Sequence, residues 1–193
     1  MDDKFIREVS KIRSLNTQQL SYMLYSLVMW IDAETIVETG SFCGYSTAWL
    51  AKAVKDKGSG RVYAIDNFSL GTSAAVLHNN LVNCEVADYV QIIDRDSKDA
   101  PLPPMIDLAF LDGNHSIEYV TREFLACVER GAKVIVLHDT TDWWGCKEFS
   151  GHANYSCIEN PMWGGARIYM FKQDISDVSV AYPKALYPEG YAK

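Results

Sequence analysis

Up to His138, five short apolar runs recur along the chain: TIVET (Thr35–Thr39), RVYAI (Arg61–Ile65), YVQII (Tyr89–Ile93), DLAFL (Asp107–Leu111) and KVIVLH (Lys133–His138). Most are continuous rather than alternating, the pattern of parallel strands covered on both faces. Helical periods lie between most of them. Tyr45 to Lys57 sets Leu50, Ala51 and Val54 toward a sheet and stops at Gly58-Ser59-Gly60. Ile117, Val120, Thr121, Phe124 and Val128 recur at three- and four-residue steps, and Gly131 ends that helix. A weaker pattern predicts a helix over Ser69 to Leu81, ending near Asn79-Asn80. The runs are spaced widely enough for a crossover helix each time, so the chain reads as a doubly wound α/β fold.

The flanks complete this picture. NTQQLSYMLYSLVMWI, ahead of the first run, is an amphipathic helix with Leu20, Leu24, Leu27 and Ile31 on one face. Tyr22, Tyr25 and Trp30 are expected to pack it, and the first ten residues to form a further short helix. Pro101, Pro103 and Pro104 make the approach to the fourth run irregular. After His138, NYSCIE and ARIYMFKQ read as an antiparallel pair joined by NPMWGG. The expected organisation is one domain over 1–193, with a helical region (1–31), an α/β core (32–172) and an irregular tail (173–193).

Composition narrows the function classes. With 193 residues and 48% hydrophobic positions the chain can bury a sizeable core. Its net charge of -7, with no basic run, argues against a protein that grips a polynucleotide through its phosphates. The five cysteines, Cys43, Cys84, Cys127, Cys146 and Cys157, are odd in number and widely spaced, with no C-x-x-C. That excludes a disulfide framework and a zinc ribbon and fits a reducing cytoplasm. The charged start MDDKFIREVSKIRS lacks the apolar run expected of a signal peptide, and no apolar stretch is long enough to span a membrane.

The candidate chemistry begins where the first run meets its helix, in IVETGSFCGYSTAWLAKAV. Gly40 and Gly44 bracket a tight turn at a strand's carboxyl end, where nucleotide-like ligands bind in open α/β sheets, although glycines can also simply make a turn. Ser46 or Thr47 could cap the helix. Asp66 closes the second run, where a carboxylate can accept both ribose hydroxyls of an adenine nucleotide. The turn lacks the G-x-G-x-x-G of dinucleotide sites: Phe42 would crowd a diphosphate and Glu38 would repel it. The same Glu38 would attract an ammonium group. A ligand with adenosine at one end and an amino acid at the other satisfies both acids, and S-adenosylmethionine is such a ligand.

Ile36 to Val54 resembles the first motif of class I S-adenosylmethionine-dependent methyltransferases. The likeness is to the small-molecule O-methyltransferases of the catechol and caffeoyl-CoA types and to the TylF and cephalosporin-hydroxylase-like group. LDGNHSIEYV (Leu111–Val120) resembles that group's DGDHSYEGV, and GAKVIVLHDT its GGVIVFHD. The resemblance spans roughly Asn16 to Lys172. It implies a Rossmann-like α/β fold whose mostly parallel seven-stranded sheet ends in an antiparallel last strand. It also implies a cofactor site. Glu38, Gly40 and Gly44 would line the methionine part, with Ser41, Phe42 and Ser46 in the same turn. Asp66 and Asn67 would hold the ribose, Asp96 and Ser97 the adenine, and Asp112 would border the cofactor.

Asp112 and Asp139 follow the fourth and fifth runs, whose ends face one crevice, so the two carboxylates can share a hard cation such as Mg²⁺. In the resembled metal-dependent enzymes an Asn or Asp follows the second aspartate; here it is Thr140, a weaker ligand, and Asn114 replaces the second acid of DGD. His115 is the candidate general base, with Asp112 or Asp139 as the substitute, and His138 a second base or ligand. Both histidines also have bland readings, as a helix start and as filling at the sheet end. Trp143, Trp144 and Trp163 suit an aromatic or sugar-containing acceptor, or packing. The reading is transfer of a methyl group to a hydroxyl of a small molecule, and a homodimer is implied by the resemblance alone. A nicotinamide oxidoreductase, a non-catalytic nucleotide-binding domain and a nucleic-acid methyltransferase stay open as alternatives.

Overall fold

The computed structural model describes residues 2–141, 144–161 and 164–172. In chain order these form α1 (Asp3–Val9), α2 (Gln18–Trp30), β1 (Thr35–Thr39), α3 (Tyr45–Lys57), β2 (Arg61–Asp66), α4 (Ala74–Asn83), β3 (Val90–Asp94), β4 (Leu108–Leu111), α5 (Ile117–Glu129), β5 (Val134–His138), α6 (Trp144–Glu148), β6 (Tyr155–Asn160) and β7 (Ala166–Phe171). The strands make one seven-stranded sheet in the order β3-β2-β1-β4-β5-β7-β6. The first five are parallel, and β7 runs antiparallel to both β5 and β6. This is the expected Rossmann-like architecture with its reversed last strand.

The continuous apolar runs are explained by burial on both faces. Ile36, Leu108, Phe110, Val134 and Val136 join one core with Leu20, Leu24, Trp49 and Leu50, from α2 and α3. Their strand neighbours Val37, Ala109, Leu111, Ile135 and Leu137 join a second core with Phe124, Cys127, Cys146 and Phe149, from α5 and the α6 region. Each strand thus serves two layers through its period of two. Phe5, Tyr22 and Tyr25 set their ring edges against Trp49. Trp30 does not pack as expected; it is 71% exposed.

Several boundaries differ for local reasons. β4 starts after Asp107, whose Oδ2 accepts the Glu34 and Thr35 amides at 3.0 and 2.9 Å. β5 starts after Lys133, whose ammonium pairs with Asp107 at 2.7 Å. Helix α4 begins late because Ser73 caps it, accepting the Val76 amide. It continues through Asn79-Asn80 because Leu77 and Leu81 are buried and Asn80 Nδ2 donates to the Cys43 carbonyl at 2.8 Å. A tertiary contact here overrides a weak helix propensity. The predicted tail (173–193) and the residues Trp143 and Trp163 lie outside the described residues.

The register aligns Thr39 with Ile65 and Leu111, and Leu111 with Leu137. The carboxyl ends of β1, β2, β4 and β5 therefore finish level, and the segments that follow them share one rim of the sheet.

Candidate functional site

A cavity of about 1310 Å³ opens on that rim. A drug-sized ligand site spans roughly 300–1,000 Å³, so there is room for a nucleotide-sized molecule and a second reactant. Gly40, Ser41, Phe42, Ser46, Asp66, Asn67, Asp96, Ser97, Asp112, His115, His138 and Asp139 all line it.

The first turn is held together by Asp66. Its Oδ2 accepts the Phe42 amide at 2.7 Å, and its Oδ1 accepts the Phe68 amide at 2.6 Å. Each oxygen keeps a further lone pair for a ligand hydroxyl. Phe42 itself sits at φ 47°, a left-handed conformation that a large side chain adopts at a cost of roughly 1–3 kcal/mol. Gly40, at φ 82°, approaches the backbone carbonyl of Asp112 so closely that a Cβ would overlap it. Glycine is needed there for the seam between β1 and β4, and the residue also lines the cavity. Gly44, at φ 91°, is likewise packed against Leu77 and does not line the cavity. Gly40 therefore lines the cavity, whereas Gly44 does not.

Glu38 is placed differently from the expectation that it lines the cavity. It is fully buried beneath the turn. Its Oε2 accepts the Thr47 hydroxyl, while Oε1 and the neighbouring Ser41 Oγ have no hydrogen-bond partner. Burial pushes its pKa up to about 7, against the opposing pull of the nearby Ser46, Thr47 and Ser41 hydroxyls. Of these, Thr47 alone reaches hydrogen-bond geometry. Ser41 and Ser46 thus stand between the carboxyl and the cavity.

The opposite end is built on α5. Asp96 accepts the Lys98 amide at 3.0 Å and the Tyr119 hydroxyl at 2.9 Å. The Lys98 amide holds Asp96 below the usual carboxylate range; burial opposes it, and Tyr119 adds to the lowering. Ser97 donates to Glu123 Oε1, and Thr39 Oγ1 donates to Glu123 Oε2 at 3.0 Å. Tyr119 and Glu123 lie one helical turn apart, so a single face of α5 fixes both residues of the loop after β3. The sequence reading missed this clasp; the only trace was an acid on the apolar side of a helix. Asn67 accepts the Ser69 amide at 3.1 Å in a local turn while lining the cavity.

At the ends of β4 and β5 two carboxylates and two imidazoles converge. His138 Nδ1 lies 2.9 Å from Asp112 Oδ1 and 3.3 Å from Asp139 Oδ1. His115 Nε2 lies 3.1 Å from Asp139 Oδ2 and 3.7 Å from Asp112 Oδ1. Asn16 Nδ2 donates to Asp112 Oδ2 at 2.9 Å, a contact from before α2 that the sequence reading did not contain. Burial works against the charge on Asp112, but His115, His138 and Asn16 outweigh it and hold its carboxyl low. Burial also works against a charged His115, but Asp112 and Asp139 outweigh it and raise His115 to about 9. In this arrangement His115 is an imidazolium at neutral pH, which departs from a ready general base.

Asp112, His138 and Asp139 offer ligand atoms within 4.8 Å of one another. Thr140, also expected as a ligand, is buried, packs against Gly165 and does not line the cavity. Asp139 takes φ 54°, a left-handed conformation, directly after β5. His138, the residue before, supplies the third donor instead. Helix α6 approaches so tightly that a Cβ on Gly145 would overlap the His115 carbonyl and the Ile117 amide. Arg167 Nη1 secures the end of α6 by donating to the Cys146, Lys147 and Phe149 carbonyls. Trp144 opens this helix.

Comparison with known proteins agrees with this arrangement. No curated protein sequence matches the chain. Among solved structures, the O-methyltransferase TomG from Streptomyces achromogenes, involved in tomaymycin synthesis and in complex with SAM, is 19% identical; 90% of this chain and 91% of that chain are covered, with a TM-score of 0.62. An O-methyltransferase from Bacillus cereus in complex with SAH is 17% identical, covering 89% and 92%, with a TM-score of 0.64. The SAH-bound methyltransferase PaMTH1 of Podospora anserina is 13% identical, covering 90% and 89%, with a TM-score of 0.69. At these identities the likeness is one of fold. The family model described as a methyltransferase domain matches residues 37–140, from within β1 to just past Asp139. That match takes in just over half of the chain and both strand ends that carry the clustered acids, and the chain belongs to this methyltransferase-domain family.

Proposed function

We propose that this methyltransferase transfers the methyl group of S-adenosylmethionine to a hydroxyl of a small-molecule acceptor, with a divalent cation held by Asp112, His138 and Asp139. The observation that carries the reading is the division of one cavity into two chemistries. Asp66 and Asp96 stand at the ends of β2 and β3, and the Asp112–His115–His138–Asp139 cluster stands at the ends of β4 and β5. The first pair suits the hydroxyls and amino group of an adenosine. Ser41, which lines the cavity and whose Oγ has no partner, stands beside the buried Glu38, so the turn offers an ammonium group an unsatisfied hydroxyl with a carboxyl behind it.

S-adenosylmethionine, when bound, supplies an already electrophilic methyl group. What remains for the chain is to place the acceptor oxygen in line and to remove its proton. Asn16 and His138 fix Asp112, and the tight seat of Gly145 fixes the His115 backbone. His115 Nε2 is the atom assigned to take the proton. It can do so only when the charges of Asp112 and Asp139 are engaged elsewhere. A divalent cation, when bound, supplies that engagement and lowers the pKa of a coordinated hydroxyl. The two carboxylates suit Mg²⁺ or Mn²⁺, and the imidazole shifts the set toward softer ions than an all-oxygen site would choose.

Leu15 and Leu70 line the cavity although 83% and 72% exposed, and Phe42, Tyr45 and Tyr119 line it as well. These surfaces support an acceptor with an aromatic or sugar-like face. Four buried cysteines and the exposed Cys157, all free thiols, support a reducing cytoplasmic setting. No helix among the described residues is long and apolar enough to cross a membrane. A homodimer stays part of the proposal, with exposed Met29 and Trp30 on α2 as apolar surface for it. The test is a methyl-transfer screen over catechols, phenols and glycosides with Mg²⁺, Mn²⁺ or EDTA. Transfer that depends on cation and hydroxyl supports the reading. Transfer unaffected by EDTA removes the cation from it, and transfer only to nitrogen or carbon removes the hydroxyl.

A further inference from the structure

The cavity wall is heavily acidic: Asp66, Asp96, Asp112, Asp139 and Glu148 all face it. Two arginines, Arg13 and Arg95, face it too. Arg95 follows β3 between Asp94 and Asp96, at the end assigned to adenosine. Arg13 is elsewhere. Its guanidinium carbon stands 5.2 Å from the centroid of Phe42, in the turn after β1. Among the described residues Arg13 makes neither an ion pair nor a hydrogen bond.

Its position is nonetheless fixed. Ile12, immediately before it, is buried in the core, and Asn16, three residues on, is tied to Asp112. The side chain is therefore carried on an anchored segment, lies over an aromatic ring at the cavity wall, and has no hydrogen-bond partner among the described residues. The start of α3 opens on the same cavity: Tyr45 and Ser46 line it, and no side chain caps that helix. An arginine with a free planar fork at this place is suited to a carboxylate.

We propose that Arg13 is the binding residue for the α-carboxylate of the methionine end of the cofactor, the one anionic group that an otherwise cationic ligand brings into an acidic cavity. This rests on the cofactor reading above. The two are separable, because a ligand lacking only the carboxylate leaves every other assigned contact in place.

The experiment is calorimetric titration of the full chain and of Arg13→Ala and Arg13→Lys with S-adenosylmethionine and with decarboxylated S-adenosylmethionine. Arg13 is exposed, so the variants are expected to fold, and thermal melts verify this. Arg13→Ala is expected to weaken binding of S-adenosylmethionine by about 10- to 100-fold and to leave the decarboxylated ligand within about twofold. Arg13→Lys is expected to recover part of the loss. Equal losses for both ligands would overturn the inference and make Arg13 a packing residue over Phe42. Unchanged affinity in Arg13→Ala, with the wild type binding normally, would overturn it while the cofactor reading stands. A wild type that binds neither ligand would overturn both.

Discussion

Replacing Glu38 by glutamine separates the two things a buried acid beneath the first turn can do. The carboxyl is fully buried, one oxygen is unpartnered, and its pKa is raised by burial from an ordinary 4.5 to about 7. A raised folded-state value means that the stability from Glu38 is fully present below its unfolded value of 4.5 and is lost as pH rises through about 7. The loss levels off near 3 kcal/mol above pH 8, and only about 1 kcal/mol of it has occurred by pH 5, on the scale of ~1.4 kcal/mol per pKa unit. Glutamine keeps the shape and cannot ionise. The difference in stability between Glu38→Gln and the wild type should therefore move in the variant's favour by about 2 kcal/mol between pH 5 and pH 8.5. For a chain of this size that is a relative change in Tm of about 4–8 °C. Thermal melts of the ligand-free proteins at both pH values measure it, and the difference cancels every other titrating group. The variant should at the same time bind S-adenosylmethionine more weakly at pH 8.5, where the wild-type carboxylate is charged. Melting differences that stay constant across this range would show that Glu38 is not ionising in a buried site, and the reasoning about the turn would fail with it.

Three further outcomes follow from the geometry. Asp66→Ala removes the acceptor of both the Phe42 and Phe68 amides as well as the ribose contact; affinity for S-adenosylmethionine should drop by at least about 30-fold, and an unchanged calorimetric Kd in a folded variant would reject the assignment. Glu123→Gln leaves either Thr39 or Ser97 facing an amide N–H₂ in place of an acceptor; urea unfolding should register a loss of about 1–2 kcal/mol, with weaker binding of 5′-methylthioadenosine because the loop after β3 is released. Asp139→Asn should cut kcat by about 100-fold or more while moving cofactor Kd by less than about threefold; equal losses in both would place Asp139 in cofactor binding rather than at the reaction centre.

How much of this was readable before the fold was known depends on the distance over which each feature is encoded. The strands were legible because two-sided burial writes itself into neighbouring residues: Thr35–Thr39 is apolar through its centre whatever it pairs with. Helix α3 was legible to the residue because glycines stand at both ends of its period. The site acids were legible in part, since a doubly wound sheet delivers every strand end to one rim, and Asp66, Asp112 and Asp139 each directly close or follow a strand. What these rules cannot supply is the side-chain direction one residue later. Thr140 follows Asp139, yet it is buried next to Gly165 and does not line the cavity. Glu38 lies two residues before Gly40 and still sits behind the turn rather than in front of it, because side chains alternate along β1 and this one falls on the side that Thr47 closes.

The contacts that were invisible have a common physical origin. Asn16 to Asp112, Arg13 to Phe42 and Thr39 to Glu123 each join segments far apart in the chain, and none has a local signature such as a cap or a period. The first two also share a location: Asn16, Asp112, Arg13 and Phe42 all line the cavity, and the segment before α2 reaches it from outside the sheet. A sheet rim gives the same invitation to many ligands, and the acids at strand ends narrow it only to a class. The particular ligand is distinguished by groups arriving from outside the sheet: a cation from the segment before α2, an amide from Asn16 and a clasp from one face of α5. Selectivity within this cavity should accordingly respond more to changes in residues 13–16 and in Tyr119 and Glu123 than to equally sized changes along the strands, which would alter stability first.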